Sequence, residues 1–387
     1  MSKFANVTTK LYIFSFFDDF ILIYPLYTLM FADAGLKPAK VASLLIAWSL
    51  TAFLLEIPAG VIADRYPRRR VLLAGIAARA AGYLFWILMP NYFGFLIGFI
   101  LWGIKSALTT GTLEALAYDE LVRLEKLPLY ARLTGRMGAI GIFGTVAASF
   151  GASLLAHHEY SFILWLSIAA ILVSGAAIYS LPKAKIVKGM AKAGYMSYLK
   201  DGLQAVARKP IVLYLVLFMS VVAGLGAVDE YFNLFLREKG LTNMMIAFWL
   251  GVINLFAAAG SLLAHKLEDK KFAANAALFG WATLLLLISF SPKMLAAILL
   301  GLYAMFFAAV GVLFNAHLQK HISDQTRATT TSVSGFGSEL FAMLSFAIVG
   351  FGANKSGYVF SFRLIAASVM IVAAFLTIYS RRHKLIL

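Results

Sequence analysis

The stretch Gly60-Val61-Ile62-Ala63-Asp64-Arg65-Tyr66-Pro67-Arg68-Arg69-Arg70 decides the fold. It is a short turn that carries four arginines and one aspartate. An apolar run, 44–62, leads into the turn, and a second run, 71–89, follows it. Each run is about as long as the roughly 20 residues that cross a bilayer as a helix. The stretch therefore predicts two membrane-spanning helices joined by a tight basic turn.

The composition of the whole chain is that of a membrane protein. Of its 387 residues, 61% are hydrophobic and 13% are charged, and the mean hydropathy is +0.84. Soluble domains are usually about 45–50% apolar and about 25% charged. Cysteine is absent, which excludes disulfides, thiol catalysis and thiolate metal sites. We expect an all-α membrane protein with no cofactor and no metal site.

Apolar segments recur along the chain and are separated by short polar turns. One connection, 182–208, is longer than the others, falls at the midpoint and is rich in lysine. We therefore expect twelve transmembrane helices in two six-helix pseudo-repeat bundles, 1–181 and 209–387, joined by a basic cytoplasmic linker at 182–208. The predicted segments are 10–32, 39–62, 70–89, 92–117, 131–156, 160–181, 209–236, 242–265, 272–290, 293–319, 328–353 and 357–380.

The distribution of positive charge predicts the orientation. Most of the 34 lysines and arginines fall in the turns on one side if the helices alternate in direction. Positive loops stay in the cytoplasm, so both termini are predicted to be cytoplasmic. This asymmetry explains the net charge of +16 without a nucleic-acid partner. We expect a bacterial inner membrane, since the loops are short and no targeting segment is visible, and we expect the protein to be a monomer.

The basic turn resembles the signature loop of the major facilitator superfamily. Ile62 stands where the family pattern has leucine, and Pro67 where it has a second glycine. The resemblance implies two bundles that open alternately to each side, with substrate bound between them near the middle of the membrane. It also implies that the first, fourth, seventh and tenth helices line the cavity. The positions that match the family pattern are Gly60, Asp64, Arg65, Arg68 and Arg69.

Ionisable residues inside the predicted helices need a reason, because each costs at least about 2.5–3.5 kcal/mol to insert. Lys105 and the neighbouring Asp18 and Asp19 lie near the predicted midplane, so a carboxylate–lysine pair is expected. Only one of the two aspartates can face the cavity squarely, and Asp19 is slightly favoured. The group could couple protons or contact substrate, or it could be a permanent ion pair. On the cavity-lining helices the candidates are Asp18, Asp19, Lys105, Glu114, Asp229 and Glu230.

Other charged residues are predicted to act as a gate or as structural pairs. Asp64, Asp119, Arg68 and Arg136 are predicted to latch the inner gate together, with the rest of the signature loop around them. Two further pairs are expected to be structural rather than part of a transport site. These predicted pairs are Glu56 with Arg79 and Glu339 with Arg363.

These observations predict a transporter rather than an enzyme. The chain has no nucleotide-binding loop, so transport without ATP is expected. The first hypothesis is proton-coupled export of a small amphipathic or cationic organic compound, because acidic residues lie on the cavity-lining helices. The alternatives are uptake or facilitated diffusion of a metabolite, and export of a metal or siderophore. A membrane sensor that binds a ligand without moving it is the alternative of another class.

Overall fold

The computed structural model describes residues 3–182, 209–267, 273–322 and 324–382, and its regular elements in those ranges are all helical. The linker is predicted at 182–208, and from residue 183 onward it lies outside the described residues. In the first half the helices are α1 (Lys3–Asp19), α2 (Tyr27–Asp33), α3 (Pro38–Arg65), α4 (Arg68–Leu88), α5 (Tyr92–Thr109), α6 (Thr112–Arg123), α7 (Tyr130–Leu155) and α8 (Tyr160–Tyr179). In the second half they are α9 (Pro210–Gly226), α10 (Phe232–Glu238), α11 (Asn243–Leu263), α12 (Ala273–Phe290), α13 (Lys293–His321) and α14 (Asp324–Arg382).

The helices account for the predicted apolar segments. Within the described residues, nine stretches are long and apolar enough to cross a membrane. One of them, Val333–Tyr379, covers two predicted segments, and α14 is non-helical between them at Ser356 and Gly357. A shorter apolar stretch, Phe279–Phe290, lies in α12, and α1 with α2 covers the first segment. Each of the twelve predicted segments therefore overlaps at least one helix.

The chain divides into two compact units. Each unit includes a short segment from the opposite half of the sequence. The units therefore differ from the two predicted bundles in these segments. The boundaries 1–181 and 209–387 stay a prediction. Unit 1 contains Met1–Leu36, Ala47–Ala191 and Asn243–Gly251, and unit 2 contains Lys37–Ile46, Lys192–Thr242 and Val252–Leu387.

Two helix breaks in unit 1 position its polar residues. The first separates α1 from α2, where Pro25 has no N–H to continue a helix. The second separates α5 from α6 at Gly111, whose φ of +72° lies in the left-handed region that glycine adopts at little cost. These breaks end α1 at Asp19 and turn the chain between Lys105 in α5 and the acidic residues of α6.

Candidate functional site

Three buried charged side chains meet in unit 1. Asp18 of α1 is 7% exposed, Arg79 of α4 is 3% exposed and Lys105 of α5 is 8% exposed. Lys105 Nζ donates a hydrogen bond of 2.6 Å to Asp18 Oδ2. The second carboxylate oxygen, Oδ1, lies 3.8 Å from Arg79 Nη1. The carboxylate–lysine pair expected from the sequence is thus formed by Asp18, and we call Asp18, Arg79 and Lys105 the ion triad.

The break after α1 explains why Arg79 joins the triad. The last carbonyl groups of a helix have no partner within it. Arg79 Nη1 satisfies one of them by donating to the main-chain oxygen of Asp18 at 2.9 Å. The same guanidinium donates from Nε to the Tyr83 hydroxyl at 3.2 Å and lies over the Trp102 ring, 4.9 Å from its centre. Removing one partner of such a buried pair typically costs about 3–5 kcal/mol, so the triad holds α1, α4 and α5 together.

A pocket of about 190 Å³ opens beside the triad, between α1, α6 and α7. Asp19 and Glu114 line it, and both are exposed. Ser15 and Asp18 also line it, and both are buried. Ser15 Oγ and Asp18 Oδ1 have no hydrogen-bond partner among the described residues. Buried polar atoms are nearly always satisfied, so this acidic pocket has open positions for a polar ligand, for water or for a proton.

A glycine of α7 makes room for Asp19. A Cβ atom at Gly141 would overlap Asp19 Oδ2, and one at Gly144 would come too close to the main-chain oxygen of Phe16. Only a residue without a side chain lets α7 pack this closely on the end of α1. Gly141 was missed in the sequence, although the repeat of glycine at 138, 141 and 144 is a signal for close helix packing.

The arginines of the signature loop hold several chain segments together at one end of unit 1. Arg68 forms an ion pair with Asp119 and also donates to the main-chain oxygen of Ala115 at 2.8 Å, whereas the latch of four residues stays a prediction. Arg69 donates to the main-chain oxygen of Leu181 at 2.6 Å and lies over the Tyr179 ring. Arg65 is exposed. The structure therefore connects the start of α4 to α6 and to the end of α8.

The other predicted gate residues are placed differently. The side chain of Asp64 lies outside the part of the chain that the structure describes, so its role in the latch stays a prediction. Arg136 lines a separate pocket with Tyr12 and Arg132, and it makes no ion pair with a described side chain. A Cβ at Gly60 would meet nothing within 4 Å, so no close contact demands glycine there.

A buried acid next to Asp119 was missed in the sequence. Glu120 is 0% exposed, and its Oε2 accepts bonds from Arg123 of 2.5 Å (Nη2) and 3.2 Å (Nε). Its Oε1 has no hydrogen-bond partner among the described residues. The only signal in the sequence is an arginine three residues later, which lies on the same face of a helix.

Asp229 and Glu230 lie in unit 2, in the 3₁₀ turn Ala227–Tyr231 between α9 and α10. Asp229 is exposed and Glu230 is partly buried. Asp229 interacts electrostatically with the buried Tyr303 of α13. Their contribution to transport stays a prediction.

The arginines of the two predicted structural pairs have other contacts among the described residues, and the pairs themselves stay predictions. Arg79 has Asp18 as its acidic partner, whereas Glu56 is exposed. Arg363 lies over the Phe290 ring, 4.2 Å from its centre. Glu339 lies 17 residues before Ser356 in α14, about 25 Å along the helix, whereas Arg363 lies about 9 Å beyond Gly357 at 1.5 Å per residue.

The comparisons with known proteins agree with this arrangement. Residues 11–346 match the sequence model of the Major Facilitator Superfamily. The chain belongs to this superfamily. It is therefore a multi-pass membrane protein of a transporter family, as the basic turn predicted. No curated protein sequence matches the chain.

Solved structures of the superfamily share the fold at low sequence identity. The nucleoside transporter NupG has a TM-score of 0.79 at 16% identity, over 97% of this chain and 99% of that one. A bacterial homologue of the human lysosomal transporter Spinster has a TM-score of 0.74 at 16% identity, over 97% and 96%. The xylose transporter XylE from E. coli has a TM-score of 0.69 at 14% identity, over 96% and 95%. At sequence identities this low, the structural similarity shows a common fold and nothing more specific.

Proposed function

We propose that this superfamily member is a secondary transporter that exports a small cationic or amphipathic compound in exchange for protons. One observation carries the proposal, namely the acidic pocket of unit 1. Its two exposed carboxylates, Asp19 and Glu114, stand beside two buried oxygen atoms that lack hydrogen-bond partners. A bacterial inner membrane with both termini in the cytoplasm, and two bundles working by alternating access, belong to the same proposal.

The chemistry of the pocket favours a ligand that donates hydrogen bonds and carries positive charge. Carboxylates accept hydrogen bonds, and bonds to charged groups contribute about 1.5–3 kcal/mol each. The pocket, about 190 Å³, is smaller than the roughly 300–1,000 Å³ of sites that enclose a drug-sized molecule. It therefore suits the charged head of an amphipathic compound better than the whole molecule.

The ion triad supports separate roles for the two neighbouring aspartates. Asp18 is held by Lys105 and Arg79, so its charge is already compensated. Asp19 is exposed and lines the pocket, so it is free to exchange a proton for a cationic ligand. Competition between a proton and a cation for one carboxylate gives exchange when the site opens alternately to each side.

The test is transport by the purified full chain in proteoliposomes with an imposed pH gradient. The probes are radiolabelled ethidium as an amphipathic cation, and uridine and D-xylose as neutral compounds suggested by the nucleoside and xylose transporters of the same fold. We expect an acidic lumen to drive ethidium uptake. Asp19→Asn or Glu114→Gln should reduce that flux about tenfold or more, because one lost charge-assisted bond exceeds the roughly 1.4 kcal/mol that corresponds to tenfold.

Glu159→Gln is the matched control, because Glu159 is an exposed acid of unit 1 outside the acidic pocket. It should transport ethidium like the native protein. Flux of uridine or xylose driven by an acidic exterior would favour the second candidate function, uptake of a neutral metabolite. Ethidium flux that ignores the pH gradient and is equal in all variants would overturn the proposal.

A further inference from the structure

A second pocket lies at the end of unit 1 that carries the signature-loop arginines. Its volume is about 320 Å³, and it is formed by the first three turns of α1, the first two turns of α7 and Leu129 just before α7. Arg132 and Arg136 contribute from α7, and Thr9 and Tyr12 from α1. Residues four apart share one face of a helix, so both arginines border the same space. We call it the basic pocket.

The two arginines of the basic pocket are not engaged by the protein. Both are exposed, and neither has an ion pair or a hydrogen bond to a described residue. Three other arginines of this end are engaged: Arg68 binds Asp119, Arg69 binds a main-chain oxygen and Arg123 binds Glu120. Arg132 and Arg136 differ from these three, and they differ from the exposed Arg65 in that they line a pocket together. Their donors are therefore available for a ligand in that pocket.

The lining contains no carboxylate to compete with an anion. Each guanidinium is a planar fork of donors that matches the oxygen atoms of phosphate in pairs. The hydroxyls of Thr9 and Tyr12 add two possible donors, and Phe4 and Leu133 provide apolar walls. A phosphate group would accept hydrogen bonds from the guanidinium groups and the hydroxyls, and a short organic portion would contact the apolar side chains.

We infer that the basic pocket binds a phosphate-bearing anion, either the head group of an anionic phospholipid or a soluble phosphorylated compound. The site is distinct from the acidic pocket, which is lined on α7 by Thr134, Met137 and Gly138. Arg132 and Arg136 lie on the same helix, on either side of Thr134. An anion held there would bridge α1 and α7, which are two of the three helices around the acidic pocket. The inference does not depend on the nature of the transported compound.

Native mass spectrometry and thermal unfolding of the detergent-solubilised full chain test the inference in two arms. One arm adds phosphatidylglycerol and counts the lipid that stays bound, and the other adds inorganic phosphate or glycerol phosphate and follows the unfolding midpoint. The variant carries Arg132→Gln together with Arg136→Gln. We expect the native chain to bind in at least one arm and the variant to bind at least about tenfold more weakly, since two forked contacts to a phosphate are lost.

The matched control carries Arg381→Gln with Arg382→Gln, two exposed arginines in the last turn of α14. It loses the same charge and should bind like the native chain. Retained lipid without a response to soluble phosphate identifies a head-group site, and the reverse identifies a soluble ligand. Equal weakening in the variant and the control, or no binding in either arm, would refute the site. If the glutamine variant does not fold, Arg132→Lys with Arg136→Lys keeps the charge and should still lose the forked contacts.

Discussion

Corresponding helices in the interiors of the two units are held together by different kinds of side chain. In unit 1 the first, third and fourth predicted segments meet through the ion triad of Asp18, Arg79 and Lys105. In unit 2 the corresponding segments, in α9, α12 and α13, meet through Gly226, Trp281 and Phe307. A Cβ at Gly226 would overlap the Phe307 ring, and that ring lies 5.5 Å from Trp281 and is stacked on Tyr303.

The difference is that the contacts of the ion triad in unit 1 are electrostatic, whereas those around Phe307 in unit 2 are aromatic packing contacts. Each aromatic contact in unit 2 contributes on its own, typically about 0.5–1.5 kcal/mol beyond the area it buries. The charges of unit 1 depend on one another, because a buried charge without its partner is strongly destabilising. The triad of unit 1 is therefore a place where protonation or a charged ligand can change the energy of a packed helix end.

Lys105→Met should produce the largest loss of stability. The change leaves Asp18 buried without its hydrogen-bonded ammonium, at a cost of about 3–5 kcal/mol. Thermal or denaturant unfolding of the purified chain in detergent measures the loss. Lys105→Arg should lose less, because the charge remains.

The double variant Asp18→Asn with Lys105→Met is the decisive control for that prediction. It removes one negative and one positive charge, so the net charge of the triad is unchanged, and Arg79 still has the main-chain oxygen of residue 18. We expect the double variant to be more stable than Lys105→Met alone. If the double variant loses the sum of two independent single losses, the triad is not an interdependent unit.

Gly226→Ala should produce a smaller loss in unit 2. Its backbone is helical, so the only strain comes from the new methyl group against the Phe307 ring. Overpacking of this kind usually costs about 1–3 kcal/mol. Adding Phe307→Leu should restore part of the stability, as the same unfolding measurement will show. A loss as large in the double variant as in Gly226→Ala would mean that another contact is responsible.

Lys239, which follows α10 and lies just outside the membrane-spanning stretch Pro210–Glu238, should give the smallest effect. Lys239 donates to the main-chain oxygens of Ser289 and Ser291 at 3.0 and 2.8 Å. Partial burial, with a smaller contribution from Arg363, lowers the pKa of Lys239 below its ordinary value of 10.5, although Glu238 opposes the shift. The native protein then binds fewer protons than the unfolded chain in the window just below 10.5, so stability should rise with pH there.

Arg363→Gln should flatten this rise, because it removes one cause of the lowered pKa of Lys239. The unfolding midpoint of native and variant chains, measured from neutral pH to pH values near 10.5, compares the two slopes. Arg381→Gln, on an arginine that is exposed in the last turn of α14, should leave the slope unchanged. A steeper rise in Arg363→Gln than in the native chain would contradict the assigned cause.

Much of the fold could be predicted because it depends on local properties of the chain. Long apolar runs, polar turns and the placement of arginine identify membrane helices without knowledge of their neighbours, because hydrocarbon excludes unpaired backbone and charge. The signature turn identified the superfamily, which the match over residues 11–346 confirms. A carboxylate partner for Lys105 was predicted from depth along the helices alone.

The partners themselves came from tertiary structure. Asp18 and Asp19 are adjacent, so depth could not tell which would meet Lys105; the direction of each side chain depends on how α1 packs against its neighbours. Arg79 contacts Asp18 rather than Glu56 because α1 ends there, and the main-chain oxygen of Asp18 is therefore available to accept a hydrogen bond from Arg79. Hydropathy and charge act along the chain and set the helices and their order, whereas an ion pair needs atoms within a few ångströms, a condition that only the packed helices meet.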